Sequence, residues 1–224
     1  MKNIAASPDF TKANGRFGLK IPAWTLCWAL AGGLALTGCG TFAPPPARAT
    51  VYDFGPPPAA TAVAPASAAT PMALGDVDAP SALDNLAVLY RLGYADAQQP
   101  RPYAQARWSM APAQLVRQRL RDQLSQTRPV LNPGEATAQR TLRIELEEFN
   151  QWFESPSAST GRVRLRATLL ETTPNGEKLL AQRNITSQRP APSADAAGGV
   201  RALTAATDAA IAELDQWLAA QPAR

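Results

Sequence analysis

TLRIELEEFNQWFESPSASTGRVRLRATLLET, residues 141–172, decides the fold. Its first arm sets Leu142, Ile144 and Leu146 on one face and Arg143, Glu145 and Glu147 on the other. Its second arm alternates in the same way, with Val163, Leu165, Ala167 and Leu169 inward and Arg162, Arg164, Arg166 and Thr168 outward. Alternation with a period of two is the pattern of a strand with one buried and one wet face. Ser155-Pro156 and Gly161 supply turn chemistry between the arms. The outer faces oppose glutamates to arginines, and such cross-strand pairs contribute a few tenths of a kcal/mol each. The phase slips at Glu147-Glu148, where a β-bulge would re-aim the aromatic residues Phe149, Trp152 and Phe153. These three are the candidate partner surface, weighed against a role in core packing.

Downstream, Pro174-Asn175-Gly176 is a turn signal, and residues 178–188 return as a strand with poorer alternation, suited to a sheet edge. Between residues 194 and 220, Val200, Leu203, Ala206, Ala210, Ile211, Leu214, Trp217 and Leu218 recur at steps of three and four. That spacing predicts a long amphipathic helix, capped by Ser193 or Asp195 and weakened in its first turns by Gly198-Gly199. Trp217 and Leu218 are expected to dock on the sheet.

Upstream, residues 51–54 (VYDF) read as a short strand stopped by Gly55 and three prolines. Residues 59–80 are rich in Ala, Pro, Thr and Ser and read as a solvated loop. Residues 87–92 and 101–108 form a strand pair joined through residues 96–100. Ser109 is the expected N-cap of a helix whose stripe is Leu115, Val116, Leu120 and Leu124, with Arg117, Arg119 and Arg121 read as a solvated cluster, weighed against a contact for an acidic partner or lipid headgroups. The whole predicts an α/β fold: a mixed, largely antiparallel sheet with two helices packed against it, an α/β sandwich.

Composition narrows the function. The chain of 224 residues contains no histidine, which excludes Ser-His-Asp and Cys-His catalysis and histidine-ligated zinc. No phosphate-binding loop, nucleophile elbow or Cys ligand set is present, so no catalytic, cofactor or metal residue is assigned and the chain is read as not an enzyme. The formal charge is +4, but residues 1–38 carry four basic residues and one acidic one, leaving 18 against 17 beyond them. A nucleic-acid binder would keep a basic face, so nucleic acid is not an expected partner.

Those first residues are a leader. A basic stretch precedes an apolar run of sixteen, residues 21–36, shorter than the roughly 20 that span a bilayer. The run ends Leu36-Thr37-Gly38-Cys39, which resembles the bacterial lipobox. The resemblance implies cleavage before Cys39 and lipidation of its thiol with acyl chains such as palmitate. Cys27 leaves with the leader, and acylation accounts for the single remaining thiol. Several chains, at about 0.8 kcal/mol per buried CH₂, anchor a protein stably. Gly40 stands where an aspartate would retain enterobacterial lipoproteins at the inner membrane, which favours the outer one. The expected organisation is a signal peptide (1–38), a Pro-rich tether (39–49) and one domain (50–224) carrying the Ala/Pro loop.

Six segments in order, YDFGP (52–56), LYRLGY (89–94), YAQARWSMAPAQL (103–115), LRIELEEFNQWFESPSAS (142–159), VRLRATL (163–169) and GGVRAL (198–203), resemble the ABC-type transport auxiliary lipoproteins, the PqiC-like proteins. That resemblance implies an α/β sandwich and a non-catalytic lipoprotein on the periplasmic face of the outer membrane. It also implies work with an MCE-domain protein, an ABC permease and an ATPase in lipid transport and membrane integrity, with a homo-oligomeric ring as one form of docking. The alternative is an outer-membrane lipoprotein that activates a cell-wall synthase, reaching it through a Pro/Ala-rich chain.

Overall fold

The computed structural model describes residues 48–58, 70–133, 135 and 138–222. The leader, residues 36–39 of the lipobox, the tether through residue 47 and residues 59–69 of the Ala/Pro segment lie outside them.

The central hairpin is the longest feature. Strand β6 (Arg140–Ser155) and strand β7 (Ala158–Thr173) pair antiparallel along nearly their whole length. The register shifts between Leu146 and Glu148, the bulge that the phase slip predicts. Leu142, Ile144, Leu146, Val163, Leu165 and Ala167 are fully buried. Each contributes about 1.5–3 kcal/mol relative to an exposed side chain, less for alanine. The turn is tighter than expected: Ser155 pairs with Ala158, and only Pro156 and Ser157 lie between the strands. Gly161 is therefore not a turn residue but sits inside β7.

Strand β8 (Gly176–Pro190) follows through Pro174-Asn175, with Gly176 at φ +112°, and forms the outer edge beyond β7. On its other side β6 serves two strands in turn. Its first half runs parallel to β2 (Met72–Asp78), and its second half runs parallel to β3 (Ala87–Leu92). Strand β2 lies within the segment read as a solvated loop, and this corrects the expectation. Met72, Ala73, Leu74 and Val77 are buried, so the apolar residues at the end of the Ala/Pro stretch fill a slot in the sheet. A two-residue strand, β5 (Val130–Leu131), pairs with β2 and was also not expected.

Strand β4 (Asp96–Trp108) pairs antiparallel with β3, and β1 (Thr50–Tyr52) runs parallel to β4 at that edge. Residues 96–100 belong to β4 and do not connect it to β3; the turn is residues 93–95, closed by Ala95 N–H donating to Leu92 O at 2.9 Å. The eight strands of the described residues form one open mixed sheet, antiparallel over most of its paired length.

Two helices cover one face: α1 (Pro112–Leu124) and α2 (Ala196–Ala219). Ala111, not Ser109, occupies the N-cap of α1, with no side-chain cap. The Ser109 N–H instead donates to Tyr52 O at 2.8 Å and fastens β1. Pro112 in the first turn leaves no N–H to satisfy there. Val116, Leu120 and Leu124 are fully buried, as their spacing predicts. Arg119 departs from the expected solvated cluster: it is 3 % exposed, donates from Nη2 to Phe54 O, and sets Nε 3.2 Å from Asp208 Oδ1 on α2. Asp195 caps α2, accepting from Gly198 N–H at 2.7 Å.

Candidate interaction surface

The bulge at Glu147 splits the FNQWFESPSAS segment between two faces. Phe149, Gln151 and Phe153 turn into the helix-covered layer, where they are 2 %, 0 % and 6 % exposed. Trp152 is half-buried, and Glu154 is exposed. Of the three aromatic residues considered as a partner surface, Phe149 packs against Phe54 and Trp108, and Phe153 against Tyr90. Trp152 alone retains accessible area.

Gln151, which the sequence marked only as part of the segment that most resembles the family, is a hub. Tyr103 O–H donates to Gln151 Oε1 at 2.8 Å, and Gln151 Nε2 donates to Ser159 Oγ at 2.7 Å. A Cβ at Gly199 would lie 2.1 Å from Gln151 Oε1, so only glycine lets α2 close over this amide. Gly161 plays the same part from the sheet, since its Cβ would lie 2.5 Å from the Ala202 carbonyl carbon. Three of the six segments quoted above thus converge on one buried point. Burial raises the Tyr103 hydroxyl pKa far above that of a free tyrosine, which keeps it a neutral donor.

Among the described residues, the opposite face of the sheet carries no helix. There Arg166 reaches Glu145 at 3.2 Å and also Glu147, and Arg164 Nε lies 3.0 Å from Glu147. The predicted Glu/Arg face is therefore a ladder of mutually satisfied ions. Half-exposed pairs of this kind contribute 0–1 kcal/mol each.

Beside this ladder the sheet is notched. Strand β2 leaves β6 at Glu145, and β3 joins it at Gln151. The connection between them, a 3₁₀ turn at Ser81–Leu83, stands over the gap. The result is an open cleft of about 410 Å³, with Leu83, Leu89 and Pro100 as apolar walls and Trp152 at one end. The indole lies against Gly93, where a Cβ would come within 2.3 Å, and the Arg162 guanidinium stacks 4.2 Å from the ring centroid. Arg91 Nη1 donates to Ala97 O at 3.0 Å and Gln98 O at 2.9 Å. A second cleft, of about 250 Å³, lies between β1 and α1, beside Phe54, Ser109 and Arg119.

Among the described residues no group of three or more His, Cys, Asp or Glu side chains could hold a metal ion. No described helix is long and apolar enough to cross a membrane. The geometry is that of a rigid two-layer domain whose exposed chemistry is a charged sheet face and an open cleft.

Comparison with known proteins agrees with that picture. The family model for the ABC-type transport auxiliary lipoprotein component matches residues 52–214, and the chain belongs to this family. It is thus an auxiliary lipoprotein component of ABC-type transport, and its family places it with the cell envelope. Among solved structures it is similar to protein XCC0632 from Xanthomonas campestris, with 19 % identity and a TM-score of 0.64 over 76 % of this chain and 94 % of that one. It is also similar to an uncharacterized protein, with 14 % identity and a TM-score of 0.59 over 76 % of this chain and 99 % of that one. At those identities the likeness is one of fold. A search of curated proteins found no match.

Proposed function

We propose that this protein is a lipid-anchored, periplasm-facing component of an MCE-type ABC lipid transport system. In this reading it docks the periplasmic MCE assembly at the outer membrane, with Cys39 acylated as the anchor. Family membership supports the transport role. The placement of β1 carries the docking role. Thr50 is already in the sheet, paired with Ala106, so only residues 39–49 separate the anchor from the folded domain. Eleven residues extend at most roughly 35–40 Å, which keeps the domain beside its own membrane. The Ala/Pro-rich segment runs between β1 and β2 and adds nothing to that reach. This counts against the cell-wall synthase alternative, which drew on that segment for its span.

The test is a pull-down from detergent-solubilised membranes with wild type and Cys39→Ala, read by mass spectrometry. Docking predicts an MCE protein and its permease with wild type and less of both with the variant. Recovery of peptidoglycan synthases, or of no transport component, refutes the proposal. Incorporation of labelled palmitate into wild type but not Cys39→Ala tests the anchor separately.

A further inference from the structure

The notch in the sheet has the chemistry of a receptor for one kind of ligand. Along its lip, Glu147 is engaged by Arg164 and Arg166, while Glu148 lies 3.7 Å from Arg164 and accepts from Asn150 Nδ2 at 3.2 Å. These carboxylates are taken. Arg91 is different. Two backbone carbonyls orient it through Nη1, and no carboxylate among the described residues pairs with it. Its Nε and Nη2 donors remain for an incoming anion, and a guanidinium fork suits a carboxylate.

The floor has the opposite need. Asn150 is 6 % exposed and lines the cleft, and its Oδ1 has no hydrogen-bond donor among the described residues. That oxygen is itself enclosed by the protein, so the acceptors open to a ligand are those of the adjoining backbone edge. The backbone of residues 146–150 has no strand partner on this side, because β2 stops at Glu145 and β3 starts at Gln151. Between the two polar needs lie Leu83, Leu89, Pro100 and the pinned Trp152, a socket for one or two apolar side chains.

We infer that this cleft binds an acidic peptide segment of a protein partner. A carboxylate meets Arg91, a large apolar side chain enters between Leu89 and Trp152, and a peptide N–H approaches the unpaired backbone edge of residues 146–150. A peptide is favoured over a lipid because it offers N–H donors, carboxylate and apolar side chain within a few residues. A volume of about 410 Å³ fits side chains rather than paired acyl chains. The inference rests on the proposed docking role only for the biological identity of the partner; the binding itself is read without it.

The experiment uses the full chain in detergent, labelled with ¹⁵N, and two probes: acetyl-Ser-Glu-Phe-Leu-Ser-amide and the same peptide with Lys in place of Glu. Substitution Trp152→Phe assigns the Trp152 indole signal. The acidic probe is expected to shift that signal and the Arg91 Nε signal, and the Lys probe to bind about fivefold more weakly. Arg91→Gln is expected to abolish the preference between probes. Ala97→Trp, which fills the cleft from a half-buried position, is expected to abolish binding at an unchanged melting temperature. Equal binding of both probes, binding that survives Ala97→Trp, or shifts produced only by anionic lysolipid overturns the inference. In the pull-down, an MCE protein retained equally by Arg91→Gln and Ala97→Trp sinks the cleft as its docking site but leaves docking intact. Peptide binding without any MCE protein in the pull-down does the reverse.

Discussion

Gly161→Ala should destabilise this protein, although alanine is the better strand residue. In an uncrowded strand the change would stabilise by about 0.5–1 kcal/mol, because glycine loses more freedom on folding. Here the added Cβ would lie 2.5 Å from both the Ala202 carbonyl carbon and the Leu203 nitrogen. Both atoms are helix backbone and cannot swing aside. Helix α2 must retreat by about 1 Å to restore ordinary contact, and gaps of that size forfeit a quarter to a half of each dispersion well they open. The retreat loosens Leu203, Ala206, Ala210 and Leu214, all fully buried against the sheet. Overpacking of this kind costs about 1–3 kcal/mol, so a net loss of about 2 kcal/mol is expected. For a domain of this size that lowers Tm by roughly 4–8 °C. Gly75→Ala is the control. Gly75 also lies in a strand, but its Cβ would meet nothing closer than Leu142 O at 3.5 Å, so that change should be neutral or mildly stabilising. Urea unfolding followed by tryptophan fluorescence, with thermal melts, separates the two. A Gly161→Ala variant as stable as Gly75→Ala would refute the close-approach argument.

Gln151→Met keeps the volume of the hub but leaves Tyr103 O–H and Ser159 Oγ without partners, an expected loss of about 2–3 kcal/mol by denaturant unfolding; a variant within 0.5 kcal/mol of wild type, or about the error of the method, would count against the hub. Burial holds the Asp208 carboxyl above its ordinary range, with Arg119 and Gln123 pulling only partly back. Folded protein therefore binds this proton more tightly than the unfolded chain, and the group's contribution is greatest below the ordinary carboxylate pKa and falls as pH rises through the raised value. The stability of Asp208→Asn relative to wild type should rise across that window in melts at successive pH values, and a flat or falling difference contradicts the assignment. Asp195 has the opposite sign: its bonds from Gly198 N–H and the Ser193 hydroxyl lower its pKa, so its contribution is lost as pH falls through the lowered value. Asp195→Ala should cost about 1 kcal/mol at neutral pH and less in acid, and a penalty that does not shrink would show the cap is not acting through its charge.

The readable parts of the chain were those in which local pattern and global structure ask for the same thing. Residues 142–146 and 163–169 alternate without a break, and a period of two leaves one choice of which face is buried. The bulge could be placed because two consecutive glutamates broke that period, and the last helix because its apolar residues recur at 3.6. The Ala/Pro segment misled because its last residues, MALGDV, are too few and too weakly alternating to outweigh the composition before them. Strand β2 exists because β6 and β5 offer it hydrogen bonds on both sides. Arg119 misled for a related reason. Nearness in the chain grouped it with Arg117 and Arg121, although helical spacing sets it on the stripe of Leu115 and Val116, and its partners Phe54 O and Asp208 lie 65 and 89 positions away.

The candidate site divides along the same line. Trp152 was visible as an aromatic residue near a phase slip. The cleft was not visible, because it is made by a change of partner along β6, from β2 to β3, and by a turn that stands over the gap. Arg91, Leu89 and Asn150 lie in two of the quoted segments, but nothing in those segments joins them, and they share a site only through strand register. Hydrophobic period is a property of neighbours in the chain, so the order of residues alone carries it. Which strand lies beside which, which glycine a helix rests on and which arginine is left without a carboxylate depend on contacts between distant segments, and those exist only once the sheet has closed around its core.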